Sequence, residues 1–380
     1  MNIEELRKNI DRIDSELTKL FQERMETAAQ IADYKTENGL PVFDAERERK
    51  VINKVTSNVS EEFVPYTKTL YNTMFDLSRS YQRKRMNADS PIKKKINDII
   101  SATPLLRPDR AVVACQGVEG AYSQHACDKM FKYPEIKYYP NFDDVFKAVD
   151  RGECRYGVLP IENSNAGSVD SVYDLMAKYK FYIVHSTKLF VEHALLTNSG
   201  VALSDIKEIF SHEQAINQCS KFIASLGPDV KVTVCKNTAE AAKIVATSGR
   251  LDAAAIGSKD CAELYSLKAI ASGVQNSGNN YTRFILISKN LEIYPGAKKT
   301  SMMMSVAHRP GSLYNIIARF TSLGLNMTKL ESRPIPGSNF EFMFYFDIDE
   351  FIYSEELKSL IAELDNDSEM FTYLGSYTED

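Results

Sequence analysis

No excess of positive charge runs through the 380 residues: the net charge is −5, so no overall basic field argues for nucleic acid. The basic runs Arg83-Lys84-Arg85 and Lys93-Lys94-Lys95 read as a solvated helix end and a linker. No apolar run is long enough to cross a bilayer, and Met1 leads straight into a charged amphipathic helix without an apolar signal core. No membrane partner and a cytoplasmic location are therefore the expectations. Six cysteines, at 115, 127, 154, 219, 235 and 261, never form Cys-x-x-Cys and never cluster with His. Reduced thiols and no metal site are expected from that pattern. The Gly-Lys-Ser/Thr of a nucleotide P-loop is missing from the glycine-bearing loop Gly117-Val118-Glu119-Gly120-Ala121-Tyr122-Ser123, which leaves a weaker signal, a candidate anion cradle at a helix start.

What is present is a soluble globular composition, 44% hydrophobic and 26% charged, in a chain long enough for two or three domains. Residues 1–88 read as all helix. Ile3, Leu6, Ile10, Ile13, Leu17 and Leu20 recur at three- and four-residue spacing and give a long first helix a narrow apolar seam. Continuing the seam reaches Arg24, a cation on a core stripe, which is costly unless an anion meets it. Arg7 and Lys35 flank the same stripe. Asn38-Gly39-Leu40-Pro41 breaks the helix, a second starts near Asp44 and carries Arg47 and Glu48, and a third runs from about Pro65 to Arg85. On the third, Met74, Ser78 and Gln82 stack at i, i+4 and i+8. Arg24 alone fits a register-setting residue in a dimerisation seam. Arg7, Arg24, Lys35, Arg47, Ser78 and Gln82 together suit a cage for a small dianion.

Residues 89–108 hold Pro91, Pro104 and Pro108 with a lysine run and read as a linker containing a short helix. From 109 to 290, apolar strands alternate with amphipathic helices, an α/β pattern in which ligands bind at strand carboxyl ends. The central stretch is Tyr281-Thr282-Arg283-Phe284, opening a buried strand. A hydroxyl and a guanidinium at that mouth suit protonating a leaving group beside a carboxylate, although an ordinary strand start reads the same way. Three further strand exits carry polar residues: the loop at Ser123, the run Pro160-Ile161-Glu162-Asn163-Ser164, and Ser211-His212 with Gln218 a turn later. Ser211 fits a helix N-cap, and His212 fits a general acid or a cap. Residues 299–380 read as strand, helix, two strands, helix, strand: a small antiparallel sheet with two helices on one face.

Each segment resembles a known family. The first is similar to the all-helical class of chorismate mutase, through Leu6-Arg7, Glu23-Arg24, Lys35, Asp44, Arg47-Glu48, Ser78 and Gln82. That resemblance implies that Arg24, and Arg7 from a partner subunit, clamp carboxylates with Arg47 and Ser78 nearby. Lys35 and Gln82 would donate to the ether oxygen, and Glu48 and Asp44 would address the ring hydroxyl. A homo-oligomer, dimeric at least, follows from the shared Arg7. The middle segment resembles prephenate dehydratase, through Gly117-x-x-Gly120-x-Tyr122-Ser123, Pro160–Ser164, Ser211-His212 and Thr282-Arg283-Phe284. It implies two α/β lobes like a periplasmic-binding protein, Thr282 as the donor to the departing hydroxyl, and Ser123, Asn163, Ser164, Ser211, Gln218 and Arg283 as substrate contacts. The last segment resembles the ferredoxin-like ACT domain, a small-molecule sensor. Gly311-Ser312-Leu313-Tyr314, preceded by His308-Arg309-Pro310, and Glu331-Ser332-Arg333-Pro334 match its phenylalanine-binding stretches. The resemblance as a whole implies chorismate and prephenate as substrates, phenylalanine as allosteric effector, and no cofactor.

Overall fold

The computed structural model describes residues 2–86, 90–306, 308, 311–335, 337, 341–367 and 370–380. The boundary expected at Ala88 and Asp89, and Arg309 and Pro310 of the expected effector stretch, lie outside the described residues. The chain divides into two compact units. One comprises Met1–Asp98, Met304–Leu330 and Pro334–Phe371; the other comprises Ile99–Met303, Glu331–Arg333 and Thr372–Asp380.

In the first unit, α1 spans Ile3–Glu37, α2 Ala45–Thr56 and α3 Val64–Met86. Asn2 and Glu5 close a capping box at the start of α1, satisfying amides that a helix end leaves bare. Gly39, at φ 63°, turns the chain out of α1, a conformation that favours glycine. Asp44 caps α2 by accepting from the Arg47 amide at 2.9 Å. Ala28, Ala29 and Ala32 are buried along α1, whereas the seam expected to be covered stays open: Ile3 is 58% exposed and Leu20 62%. The expected linker contains α4, Pro91–Ala102. Arg83, expected in a solvated helix end, is instead buried and pairs with Glu363 at 2.7 Å, a carboxylate that Arg319 also approaches at 3.3 Å. Burial becomes tolerable for Arg83 because a buried anion is there to meet it.

The second unit contains two sheets. Strands β1 (Arg110–Gln116), β2 (Tyr133–Tyr139), β3 (Tyr156–Asn163), β4 (Gly167–Ser168), β5 (Tyr182–Phe190) and β11 (Tyr281–Ser288) form one lobe, with helices α5 (Tyr122–Met130), α6 (Phe142–Asp150) and α7 (Asp170–Tyr179). Its strand order is β2-β1-β3-β11-β5, with β4 on β3. The other lobe is ordered β10-β6-β9-β7-β8, from β6 (Ala194–Thr197), β7 (Glu208–His212), β8 (Lys231–Cys235), β9 (Ala253–Gly257) and β10 (Lys268–Ser272). Helices α8 (Glu213–Gln218), α9 (Ser220–Ser225), α10 (Thr238–Ser248) and α11 (Asp260–Leu264) accompany it. The chain enters the second lobe after β5 and returns to the first as β11, the two-lobed arrangement expected. Each lobe buries its own core. In the first, Val113, Val158, Phe284 and Leu286 meet Ala126 and Met130; in the second, Leu196, Ala253 and Ala255 meet Ala242 and Val245.

A third sheet is ordered β13-β14-β12-β15, from β12 (Lys299–Ser305), β13 (Asn326–Pro334), β14 (Phe342–Asp349) and β15 (Phe371–Tyr377). With α12 (Ser312–Ser322) and α13 (Glu355–Asp367) it follows the ferredoxin-like order expected of the C-terminal segment.

Candidate active sites

Strand alternation builds the α/β site. Successive residues of β11 face opposite sides of the sheet, and β11 pairs antiparallel with β3, Thr282 opposite Asn163 and Arg283 opposite Glu162. Thr282, Asn163 and Phe284 line a cavity of about 880 Å³ that Tyr122, Ser123, His193 and Gln218 also reach. Asn163 Nδ2 donates to Thr282 Oγ1 at 2.9 Å. The Asn163 side chain is itself anchored, because its Oδ1 accepts from the backbone amides of Asn165 at 3.0 Å and Ala166 at 2.9 Å. Thr282 therefore receives one hydrogen bond and keeps its own O–H for a donor role.

Arg283 corrects an expectation. It lies on the opposite face of β11, where its Nε sits 2.9 Å from Glu162 and its Nη1 3.7 Å from Glu379. A guanidinium 4% exposed and held by two carboxylates faces the back of the sheet, away from the cavity. Ser211 is also turned away: fully buried, it donates to the Ile256 carbonyl at 2.7 Å, and the N-cap of α8 is His212. Ser164 accepts from the Tyr281 amide at 2.9 Å and donates to the Asn279 carbonyl at 3.1 Å, tying two loops together. His212 lines the cavity, but its Nδ1 accepts from the Gln214 amide at 3.3 Å and burial lowers its pKa, so a cap describes it better than an acid. The Gly120 amide of the glycine loop donates to Gln124 at 2.7 Å and is not free to cradle an anion.

Two residues here carried no sequence signal. His193, 2% exposed, bonds Gln218 Oε1 through Nε2 at 3.0 Å, and burial lowers its pKa. Asn280, fully buried, accepts from Asn163 at 2.8 Å and donates to Gln218 at 3.1 Å. Both lie in connections between strands, where neither period nor motif marks them.

The helical segment brings some of its expected residues together. Arg24 donates to Ser78 Oγ and, at 3.4 Å, to the Met74 carbonyl, with its guanidinium 5.9 Å from the Phe75 ring centre. The costly cation on the seam thus meets a hydroxyl and a carbonyl of α3. Gln82 is buried one turn beyond Ser78, with its Oε1 unpartnered. Lys35 donates to the Val42 carbonyl at 2.6 Å, and Glu48 pairs with Arg79, a residue missed in the sequence that also holds Asp76. Arg7 and Arg47 are exposed, and Asp44 is engaged as the α2 cap.

In the C-terminal segment, Gly311 opens α12 at φ 85° with Ser312, Leu313 and Tyr314 in its first turn, Tyr314 exposed. Glu331, Ser332, Arg333 and Pro334 end β13. Glu331 accepts from Ser168, and Arg333 pairs with Asp170 at 2.6 Å and Asp174 at 3.0 Å. Among the described residues, no cluster of His, Cys, Asp and Glu could hold a metal ion, and no helix is long and apolar enough to cross a membrane.

Residues 113–292 match the family model for prephenate dehydratase, and residues 6–83 that for chorismate mutase type II. The chain is 30% identical to the bifunctional chorismate mutase/prephenate dehydratase of Aquifex aeolicus, over 99% of this chain and 97% of that protein. It is 35% identical to arogenate dehydratase/prephenate dehydratase 2 of Arabidopsis thaliana, over 80% of this chain and 82% of that one. The structure of prephenate dehydratase from Arthrobacter aurescens in complex with L-Phe superposes with a TM-score of 0.64 at 27% identity, covering 70% of this chain and 90% of that one. The helical segment that sets Arg24 against Ser78 and the two-lobed segment that sets Thr282 against Asn163 fall within the two matched ranges, in that order, and with a bifunctional relative matched almost end to end the chain belongs to the bifunctional chorismate mutase/prephenate dehydratase family.

Proposed function

We propose that the two reactions of this enzyme run on the residues just described, with residues 1–88 as the mutase, 109–290 as the dehydratase and 299–380 as the sensor. The mutase step is pericyclic and needs neither nucleophile nor cofactor. It requires the folded conformer of chorismate to be held and the charge that builds on the ether oxygen to be stabilised. Arg24, with Ser78 orienting it, meets a carboxylate; Lys35 and Gln82 face the ether oxygen; Glu48 takes the ring hydroxyl. The open seam on α1 supports a second copy of the chain as its cover, which would bring the partner's Arg7 to the site and make the enzyme a homodimer at least.

In the dehydratase step, prephenate loses its ring carboxylate as carbon dioxide. The electron pair left behind enters the ring as the carbon–oxygen bond on the far side breaks. The departing hydroxyl takes one proton and leaves as water, and phenylpyruvate remains. Thr282 is the donor to that hydroxyl, replenished from solvent, and Ser123, Asn163 and Gln218 hold the polar groups of the substrate. The observation that carries this reading is the 2.9 Å bond from Asn163 to Thr282, which leaves the threonine proton free for the cavity. A mutase segment in the same chain favours prephenate over arogenate as the substrate. Phenylalanine binds at Gly311–Tyr314 and Glu331–Pro334 and slows the dehydratase, and the enzyme works in the cytoplasm.

The test is a chorismate feed to the purified protein, following chorismate, prephenate and phenylpyruvate with and without phenylalanine. Phenylpyruvate should appear through prephenate and fall when phenylalanine is added. Lys35→Ala should remove about two to three orders of magnitude from the mutase rate alone, and Thr282→Val the same from the dehydratase alone. If added prephenate is never turned over, the α/β segment is a sensor and the dehydratase reading fails.

A further inference from the structure

The two lobes of the dehydratase are joined by residues 191–193, between β5 and β6, and 273–280, between β10 and β11. These connections touch where the Val191 amide donates to the Asn280 carbonyl at 2.7 Å. His193 and Asn280 therefore sit at the hinge. Asn163 comes from the first lobe and Gln218 from the second, and the side chains of Asn163, Asn280 and Gln218 form a closed ring. Asn163 Nδ2 donates to Asn280 Oδ1 at 2.8 Å, Asn280 Nδ2 to Gln218 Oε1 at 3.1 Å, and Gln218 Nε2 to Asn163 Oδ1 at 3.4 Å.

An amide ring of this kind could run in either direction, because amide oxygen and nitrogen are exchangeable by a flip. Here the direction is fixed from outside. The backbone amides of Asn165 and Ala166 can only donate, so the atom of Asn163 facing them is its oxygen. Its nitrogen must then face Asn280 and Thr282, Asn280 must offer Oδ1, and its nitrogen must face Gln218. His193 closes the argument. Its Nδ1 is buried without a partner, so the ring proton belongs on Nε2, which gives Gln218 Oε1 a second donor.

We propose that Asn280, backed by His193, is a positioning residue of the dehydration, locking the hinge amides so that the Thr282 hydroxyl accepts from Asn163 and can donate only toward the cavity. Without Asn280, Asn163 Nδ2 keeps Thr282 Oγ1 and the Tyr281 carbonyl, 3.2 Å away, as acceptors, and Gln218 Oε1 keeps only His193 as a donor, so the link from Asn163 through the hinge to Gln218 is reduced to the 3.4 Å bond between them. Asn163 stays oriented by the Asn165 and Ala166 amides, but with the hinge link gone its amide and that of Gln218 shift against one another, and a small displacement of the group from which Thr282 accepts misdirects the Thr282 proton. The effect belongs to the reacting state more than to binding, because Ser123, Asn163 and Gln218 all remain in the cavity to hold prephenate. This inference rests on Thr282 being the proton donor.

The test compares Asn280→Ala, His193→Gln, His193→Leu and Thr282→Val in the full-length chain, with mutase activity and thermal unfolding measured in each. Asn280→Ala should lower dehydratase kcat by about 10- to 100-fold with KM changed by less than about threefold, and leave the mutase rate alone. His193→Gln keeps an N–H where Nε2 stood and should hold kcat within about threefold, while His193→Leu should fall as Asn280→Ala does. Should Asn280→Ala not fold, Asn280→Asp has the same shape but sets an oxygen against Gln218 Oε1, and the same loss in kcat is expected. A kcat within twofold of the parent for the folded Asn280 variant, or a loss confined to KM, overturns the proposal. If Thr282→Val keeps its activity, the donor assignment fails instead, so the two failures are distinguishable.

Discussion

Glu379 offers a stability prediction whose size and pH dependence both follow from its surroundings. Its carboxylate lies behind β11, 2.8 Å from Lys188, 2.8 Å from Lys299, 3.7 Å from Arg283 and 2.9 Å from the Ser186 hydroxyl. The backbone of residues 378–380 runs parallel to β5, with Ser186 N donating to Thr378 O at 3.0 Å and Lys188 N to Asp380 O at 2.9 Å. Burial alone would push the Glu379 pKa up, but Lys188 and Lys299 outweigh it and hold the carboxyl down at about 2, against an ordinary 4.5. A drop of that size corresponds to roughly 3 kcal/mol of folded-state stability. Because the folded pKa is the lower one, the contribution is complete above pH 4.5, fades as pH falls, and is gone below about 2. Glu379→Gln should therefore lower the unfolding free energy by about 3 kcal/mol at pH 7, by about half of that at pH 3, and by little near pH 2. Urea titrations of both proteins at pH 7, 5, 4 and 3 measure the difference. A gap that is the same at pH 3 as at pH 7 would show that lost packing, and not the charge, is responsible, and the reasoning would be wrong.

Other expected outcomes follow from single contacts. Gly375 sits in β15 at φ 127°, and a Cβ there would lie 2.4 Å from the Ile183 carbonyl oxygen of β5. Gly375→Ala should cost about 2 to 5 kcal/mol, from backbone strain and overpacking together, seen as a lower thermal midpoint. Leu20→Glu places a charge on the open face of α1, where Leu20 is 62% exposed. It should reduce self-association in analytical ultracentrifugation and mutase activity with it, while leaving prephenate turnover within about twofold; an unchanged sedimentation profile would count against the seam as a subunit contact. Replacing Ser78 by Ala removes a partner of the Arg24 guanidinium and should raise KM for chorismate by several-fold, about 1 kcal/mol of lost orientation.

Much of this architecture could be read before any coordinates. The heptad seam, the Gly39 break and the Asp44 start gave the helical segment its three long helices, because periodicity and capping are local properties. Strands β2, β6 and β10 carry weak sequence signals for local reasons too. β2 reads Tyr-Pro-Glu-Ile-Lys-Tyr-Tyr, with a proline and charges that suit only an edge, and it does lie at an edge. β6 is four residues long and follows β5 after only three residues, and β10 is a short edge strand. The break between α8 and α9 at Cys219 has no glycine or proline to announce it.

The site divides along a different line. Two expected contacts on strands, Ser211 and Arg283, point away from the cavity, and Arg283 does so by the rule of alternation itself: period two puts it across the sheet from Thr282, toward Glu162. Residues in the lobe connections obey no period. Asn163 and Thr282 are 119 positions apart, and Asn163 and Asn280 are 117 apart. Only the return of β11 beside β3 makes them neighbours, and only the anchoring of Asn163 by two backbone amides gives their hydrogen bonds a direction. A threonine is a poor acid by its own pKa. What the fold adds is a fixed polarity around it, assembled from amides that look interchangeable with any loop asparagine or glutamine until the topology is known.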